Sequence, residues 1–139
     1  MPGNILIVDD QQSMCELIQT DLKLRGFEST WFTSADEAFR ALKDSEFDVV
    51  LTDLRMPGTT GLQLCEQVVA NRPDVPVVVM TAFGSLETAI AAIRAGAFDF
   101  VTKPIEMDLL AIALQRAVKQ RRLQQQVKLL GDAVDRSRN

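Results

Sequence analysis

The sequence contains no histidine, and this absence removes several kinds of catalytic and metal-binding site. Ser-His-Asp and Cys-His nucleophilic systems, HExxH zinc sites and a phosphohistidine within the chain all require that side chain. Only two cysteines occur, Cys15 and Cys65, too few for a cysteine metal cluster or a disulfide framework. Both lie among apolar neighbours, so we expect them to pack in the core. Any chemistry must therefore use carboxylates, hydroxyls and amines.

The sequence also lacks an apolar run of the roughly 18 residues that a membrane span needs, and it has no secretory signal pattern. No glycine-rich nucleotide-binding loop of the GxxxxGK[ST] kind occurs. With 139 residues, 47% of them hydrophobic, the chain has the size of one compact domain with a substantial core. We therefore expect a soluble, cytoplasmic domain that makes no membrane contact and binds no nucleotide.

Charge is distributed unevenly between the body of the chain and its C-terminal tail. Residues 1–115 contain 8 basic and 17 acidic side chains, whereas residues 116–139 contain 7 basic and 2 acidic ones. An acidic body repels a phosphate backbone, so we expect no direct binding of nucleic acid by this chain. The basic tail is interpreted as a solvated helix face.

Five short apolar runs predict strands, and stretches with helical spacing lie between them. The predicted strands are 5–8, 29–32, 49–52, 75–80 and 98–101. This alternation predicts an α/β fold with a parallel sheet, right-handed crossovers and helices on both faces. Ser34 and Ser85 are predicted helix caps, and Gly26 is predicted to end the first helix.

The final helix is predicted to begin near Glu106 and to continue to about Leu130, further than packing on one sheet requires. Its later apolar residues follow 4, 3, 4 spacing and form a seam of two heptads: Leu123, Val127, Leu130 and Val134. The seam favours a dimerising or linker coiled coil, and a frayed, solvated tail is the alternative. The chain is therefore divided into a domain of residues 1–122 and a helical extension of residues 123–139.

Polar side chains follow four of the five predicted strands, at the edge where ligands bind in open α/β sheets. Asp9 and Asp10 follow the first strand, Asp53 the third, Thr81 the fourth and Lys103 the fifth. Each residue alone has an ordinary structural explanation, as part of a loop, turn, strand end or surface. Coincidence is a much weaker explanation for suitable polar residues at four of the five strand ends than for any one of them.

Three clustered carboxylates repel one another unless a cation compensates their charge, and a hard divalent ion suits carboxylate oxygens. We predict Mg²⁺ as that ion. Its predicted ligands are the carboxylates of Asp10 and Asp53 and the backbone carbonyl of Arg55. Because Mg²⁺ keeps several waters, Asp9 is predicted to act through a metal-bound water.

A carboxylate can also be a nucleophile that forms an acyl phosphate. Such a transfer requires neutralisation of the charge on the phosphoryl oxygens. The ammonium of Lys103 can pair with one of these oxygens, and the hydroxyl of Thr81 can donate to another. The pattern therefore favours phosphoryl transfer to a carboxylate of the cluster.

At these residues the sequence resembles the response-regulator receiver family, over about residues 4–120. The motifs that carry the resemblance are Val8-Asp9-Asp10, Asp53-Leu54-Arg55-Met56-Pro57 with Gly61, Met80-Thr81-Ala82, and Lys103-Pro104. The resemblance implies a flavodoxin-like (βα)5 three-layer sandwich with strand order 2-1-3-4-5. It also implies that Asp53 is the phosphorylated residue and that a partner histidine kinase is the phosphodonor.

The resemblance further implies a switch at Thr81 and Phe100. In the family, the strand-end hydroxyl turns toward the phosphoryl group, and an aromatic side chain on the fifth strand swings inward with it. Phe100 lacks the phenolic hydroxyl often found there, and a plain core aromatic is the alternative interpretation. The Lys103-Pro104 bond resembles the family's cis peptide, which would aim the ammonium at the site.

Three further positions bear on the site. Arg55 and Phe83, each two residues after a site residue, are expected to tune the rate of dephosphorylation by shielding water. Thr60 stands before Gly61 where many relatives carry Asp or Asn, which bears on the turn geometry of the loop.

Residues 80–85 and the long final helix look most like receivers of the nitrogen-regulatory type, which precede an ATPase domain that activates sigma-54 polymerase. This resemblance implies an output domain beyond residue 139. A homodimer is expected, through the fourth helix, fifth strand and fifth helix or through the C-terminal helix. One alternative is a stand-alone receiver that docks on a partner protein. Another is a phosphatase of the haloacid-dehalogenase class, but Arg55 stands where that class needs a general acid.

Overall fold

The computed structural model describes residues 3–82 and 85–137, with side chains described through Gly131. The strands are β1 (Asn4–Val8), β2 (Glu28–Phe32), β3 (Val49–Asp53), β4 (Val77–Thr81) and β5 (Asp99–Thr102). The helices between and after them are α1 (Gln12–Leu24), α2 (Ala35–Asp44), α3 (Gly61–Asn71), α4 (Leu86–Arg94) and α5 (Met107–Ser137). The strands form one parallel sheet in the order β2-β1-β3-β4-β5, which confirms the predicted fold and strand order.

Helices cover both faces of the sheet, so the core has two halves. Every residue of β3 and β4 is buried, because successive side chains along a strand point to opposite faces and both faces are covered. One half of the core packs strand residues against α2 and α3, and the other packs them against α1 and α5. Among the described helices, none is long and apolar enough to cross a membrane.

Both cysteines lie in this core, as predicted. Cys15 and Cys65 are fully buried and free. Burial raises the pKa of each thiol to about 11, because the thiolate loses its hydration in apolar surroundings. Each cysteine therefore behaves as a small apolar residue near neutral pH.

Several boundaries differ slightly from the prediction. Asp53 and Thr81 are the last residues of their strands, rather than the first residues after them. The sheet continues through both positions, since Asp53 pairs with Met80 and Thr81 pairs with Thr102. The final helix also continues to Ser137, past the predicted end.

Two of the three residues predicted to begin or end helices, Ser34 and Gly26, do so as expected. The Ser34 side chain accepts a hydrogen bond from the backbone N–H of Glu37, and Gly26 adopts a left-handed φ of 92° just after α1. Ser85 precedes α4, but its side chain makes no capping hydrogen bond, so that part of the prediction is wrong. Its ψ of 60° departs from the extended geometry that a capping side chain normally accompanies.

The loop between β3 and α3 is closed by Thr60 and Gly61. Thr60 forms a reciprocal capping box with Gln63, which gives two backbone N–H groups at the start of α3 a hydrogen-bond acceptor. Threonine therefore caps this helix in place of the Asp or Asn of many relatives. The N–H of Gly61 donates to the carbonyl of Leu54 at 3.1 Å. A Cβ at Gly61 would collide with the carbonyl oxygen of Asp53 and lie 2.7 Å from the Leu54 Cα. The absence of a side chain therefore lets α3 begin directly against the end of β3.

We predict that Gly61→Ala lowers the free energy of unfolding by at least about 2 kcal/mol, because its methyl group meets backbone that cannot move aside easily. The matched control is Gly131→Ala in α5, where a Cβ would meet nothing within 4 Å. That substitution should leave stability unchanged or raise it by up to about 1 kcal/mol through helix propensity. Urea unfolding measures both, and equal stabilities of the two variants would contradict the account.

Candidate functional site

Three acids meet at the carboxyl edge of the sheet, where β1 and β3 end. Asp9 and Asp10 follow β1 directly, and Asp53 is the last residue of β3. Their carboxylates offer oxygens that all lie within 4.8 Å of one another. Asp9 is 0% exposed and Asp53 is 9% exposed, whereas Asp10 faces solvent. Adjacent parallel strands end at the same edge, and this topology brings the three acids together.

Lys103 reaches the same cluster from the end of β5. Its ammonium donates to Oδ2 of Asp9 at 3.3 Å and to Oδ2 of Asp53 at 3.2 Å. The backbone N–H of Lys103 donates to the carbonyl of Thr81 at 2.7 Å, and the Lys103–Pro104 peptide bond is cis. One ammonium therefore bridges the two buried acids.

The ionisation of Asp9 and Lys103 reflects this shared burial. Burial raises the pKa of Asp9 above its ordinary value, although the Gln11 N–H, 2.9 Å from Oδ1, and the Lys103 ammonium partly offset that effect. Burial alone would lower the pKa of Lys103, but the carboxylates of Asp53 and Asp9 outweigh it, and the net shift is upward. Lys103 is therefore a permanent cation near neutral pH, set against three acids.

Thr81 contributes a hydroxyl that is buried beside the site. The residue is 2% exposed, and its Oγ has no hydrogen-bond partner among the described residues. Thr52 differs, since its hydroxyl donates to the carbonyl of Asp53 at 2.9 Å. A buried hydroxyl without a partner is costly, which makes Thr81 a donor available to an incoming acceptor.

Three further residues were predicted to belong to the site: Arg55, Phe83 and Phe100. The Arg55 backbone N–H is 3.4 Å from Oδ1 of Asp53, while its carbonyl as a metal ligand stays a prediction. Phe100 is 36% exposed on β5, so it is not the plain core aromatic of the alternative interpretation. Phe83 lies outside the described residues.

Two contacts within the site were not predicted from the sequence. The backbone N–H of Gln11 holds Asp9, and the Cys15 thiol lies 3.3 Å from the backbone oxygen of Asp9. A backbone donor carries no side-chain signature, so the sequence offers no sign of the first contact. The second contact follows from the position of Cys15 in the first turns of α1, but its apolar neighbours indicated only packing.

The donor set suits a hard divalent cation. Three carboxylates supply only oxygen ligands, and two of them belong to aspartates that are largely shielded from water. Their mutual repulsion is only partly relieved by the single ammonium of Lys103. A divalent cation would compensate the negative charge that the Lys103 ammonium leaves uncompensated.

Comparison with known proteins agrees with this geometry. The family model described as "Response regulator receiver domain" matches residues 5–115. The regulatory protein AtoC of Escherichia coli is 35% identical over 135 residues, covering 97% of this chain and 29% of that protein. The DNA-binding transcriptional regulator NtrC of Escherichia coli is 36% identical over 136 residues, covering 96% of this chain and 29% of that protein. The chain thus spans less than a third of these curated relatives.

Solved structures give the same result. NtrX from Brucella abortus superposes with a TM-score of 0.87 at 34% identity, covering 94% of this chain and 30% of that one. A response regulator receiver domain protein from Clostridium thermocellum superposes with a TM-score of 0.83 at 30% identity, covering 87% and 98%. Each of these solved structures therefore has the same fold over at least 87% of this chain.

We predict that Asp10→Asn stabilises the protein in the presence of a metal chelator, because it removes one of three mutually repelling charges at an exposed position. The free energy of unfolding in urea should rise by about 0.5–1 kcal/mol, a modest gain because solvent screens this carboxylate. The control is Glu66→Gln, a solvent-exposed acid on α3, which should change stability by less than about 0.5 kcal/mol. Destabilisation by Asp10→Asn would show that the acids do not repel as proposed.

Proposed function

The chain belongs to the response regulator receiver family, and we propose that it is a signalling switch in which the Asp53 carboxylate accepts a phosphoryl group. The observation that carries the proposal is the Lys103 ammonium, 3.2 Å from Oδ2 of Asp53 and inside an acidic cluster. The Asp53 side chain is 13% exposed and that of Asp9 is 0% exposed. Asp53 is therefore the buried acid that a phosphodonor can approach.

The proposed reaction makes one bond and breaks one. An oxygen of Asp53 attacks the phosphorus, the bond between phosphorus and the donor's leaving atom breaks, and the leaving group departs with the electron pair. The product is an acyl phosphate on Asp53. Lys103 then pairs with one phosphoryl oxygen, and the buried hydroxyl of Thr81 donates to another.

The reverse branch is hydrolysis. Water attacks the phosphorus, which regenerates the Asp53 carboxylate and releases inorganic phosphate. We propose that Arg55 and Phe83 tune this rate by shielding the phosphoryl group from water. The Arg55 N–H contact with Asp53 supports a position beside the acyl phosphate.

We propose Mg²⁺ as the cofactor, held by the carboxylates of Asp10 and Asp53 and the backbone carbonyl of Arg55, with Asp9 acting through a bound water. The oxygen-only donor set within 4.8 Å supports this assignment. When bound, the ion neutralises negative charge on the acids and on the transferred phosphoryl oxygens. Asp9 keeps its role of holding the Lys103 ammonium at the site.

Phosphorylation is proposed to shift an equilibrium between two surfaces. Thr81 turns toward the phosphoryl group, and Phe100 moves inward from its half-exposed position. The surface that changes is made by α4, β5 and α5. It exposes several large apolar side chains, which support a role in homodimer formation: Ile90, Ile93, Phe100, Leu109 and Ile112. A groove of about 540 Å³ between β5 and α5 lies on the same surface.

A histidine kinase is the proposed phosphodonor, and an output domain is the proposed target. The curated relatives are more than three times longer than the stretch that matches them, which supports further domains in the whole protein. We propose sigma-54-dependent transcription as the output. The receiver would occupy residues 1–122, and residues 123–139 would link it to the output domain. Exposure of Leu123, Val127 and Leu130 supports the seam as a second dimer contact, while the Val134 side chain lies outside the described residues.

We predict that acetyl phosphate with Mg²⁺ adds one phosphoryl group to the native chain and none to Asp53→Asn, as measured by intact mass. Asp44→Asn, at the exposed end of α2, is the matched control and should be labelled like the native chain. Lys103→Met should slow labelling by about a hundredfold or more, because a preorganised cation is lost from the phosphoryl oxygens. Labelling of Asp53→Asn at the native rate would refute the assignment.

We predict that labelling moves the amide NMR signals of residues 85–95, while those of α2 stay in place. Thr81→Val removes the hydroxyl at nearly constant volume, so Asp53 should still become labelled, although more slowly because one donor to the phosphoryl oxygens is lost, and most of the movement of the 85–95 signals should disappear. The two readouts separate acceptance of the phosphoryl group from the switch. Unmoved signals in 85–95 with Asp53 fully labelled would exclude the proposed switch.

A further inference from the structure

The amino edge of the sheet, opposite the acidic cluster, holds a buried arginine. Arg121 of α5 is 6% exposed, and in the part of the chain whose side chains are described it is the one buried lysine or arginine. It also lies beyond residue 115, where the match to the receiver family model ends. Burial of a guanidinium is costly unless its charge is paired. Both Nη atoms of Arg121 are paired with carboxylates, whereas its buried Nε has no hydrogen-bond partner among the described residues.

Arg121 bridges acids from two different loops. Its Nη1 donates to Oδ1 of Asp48 at 3.0 Å, and its Nη2 donates to Oε2 of Glu46 at 2.8 Å. The same Nη2 lies 3.5 Å from Oδ2 of Asp74, which Arg72 also holds through two contacts of 3.1 Å. We call these five residues the Arg121 cluster.

The acids of the Arg121 cluster lie just before β3 and β4, two of the strands whose carboxyl ends hold candidate site residues. Asp48 directly precedes β3, which ends at Asp53, and Asp74 lies shortly before β4, which ends at Thr81. Asp48 is also held by the N–H of Asn4 in β1, at 2.8 Å. The cluster thus ties α5 to the three central strands at their amino ends.

The contacts also extend toward the part of α5 that leaves the domain. Gln125 lies one turn beyond Arg121, and with its amide oxygen turned inward that oxygen is 3.2 Å from both Nη atoms. From Leu123 onward the described side chains are exposed, so the sheet no longer supports the helix. Among the described side chains of α5, which end at Gly131, Arg121 is therefore the last buried one.

We infer that the Arg121 cluster is a clasp that fixes the direction in which α5 leaves the domain and keeps the extension helical. Arg121 acts as a positioning residue. The planar fork of its guanidinium can bridge separate carboxylates only when α5 is wound through residue 121 with this face toward the sheet. This inference does not depend on whether Asp53 accepts a phosphoryl group.

The contacts of the cluster are not equivalent. The Glu46 side chain is 79% exposed, so its ion pair is solvated and contributes little. The Asp48 side chain is 18% exposed and is held from two sides, by Arg121 and by Asn4. Among the acids of the cluster, Asp48 should therefore contribute most to holding Arg121 and α5 in place.

Amide hydrogen exchange of the whole chain, followed by NMR, tests the clasp. Arg121→Met keeps the length of the side chain but removes its charge and donors, and it should speed exchange of residues 119–130 by about tenfold or more. Asp48→Asn should speed exchange in the same range by a smaller factor. Arg116→Met is the matched control, since Arg116 lies on α5 with a 68% exposed side chain, and it should leave this range unchanged. Amides of β1 and β4 report global unfolding and separate it from local opening of α5.

A conservative variant tests the bridging geometry. Arg121→Lys keeps the charge without the fork, so intermediate exchange is expected. Full native protection in Arg121→Lys would overturn the bridging role, and native protection in Arg121→Met would overturn the clasp itself. The clasp would also be overturned if the amides of residues 123–130 in the native chain exchanged as fast as those of an unfolded peptide. If Arg121→Met fails to fold, Asp48→Asn decides: faster exchange confined to 119–130 supports the clasp, and native exchange excludes it.

Discussion

The contact of one ammonium with two buried carboxylates is the interaction on which the site depends. Two carboxylates so close together and largely out of water repel each other, and a cation beside them offsets that repulsion. Lys103 supplies that cation from a strand two positions away from β3 in the sheet. The arrangement leaves the cluster short of positive charge, and this shortage favours binding of a divalent cation there.

The two edges of the sheet differ in how far cations compensate the charge of their acids. At the carboxyl edge, acids outnumber the one cation, and a buried hydroxyl has no partner among the described residues. At the amino edge, the three acids Glu46, Asp48 and Asp74 face the two cations Arg121 and Arg72, so a larger share of the negative charge is compensated. The less compensated edge suits a site that takes up a cation, whereas the more compensated edge suits a fixed attachment. The strands β3 and β4 connect the two edges directly.

Much of the fold and site could be predicted from sequence, because both depend on local patterns. Apolar strands and the acids that follow them identify a parallel sheet and its carboxyl edge. The Gln11 N–H contact and the Arg121 cluster were not predictable, because backbone donors and partners more than 70 positions apart leave no local pattern. Ser85 failed as a cap because its backbone angle, which the sequence does not display, differs from the usual one.

The most direct test of the central claim is a crystal structure of the chain with Mg²⁺ and beryllium trifluoride, a mimic of the phosphoryl group. We expect the beryllium on an Asp53 oxygen, with the Lys103 ammonium and the Thr81 hydroxyl each about 3 Å from a fluorine. We also expect the metal on Asp10 and Asp53. Beryllium trifluoride bound elsewhere, or bound at Asp53 with Lys103 and Thr81 directed away from it, would contradict the account.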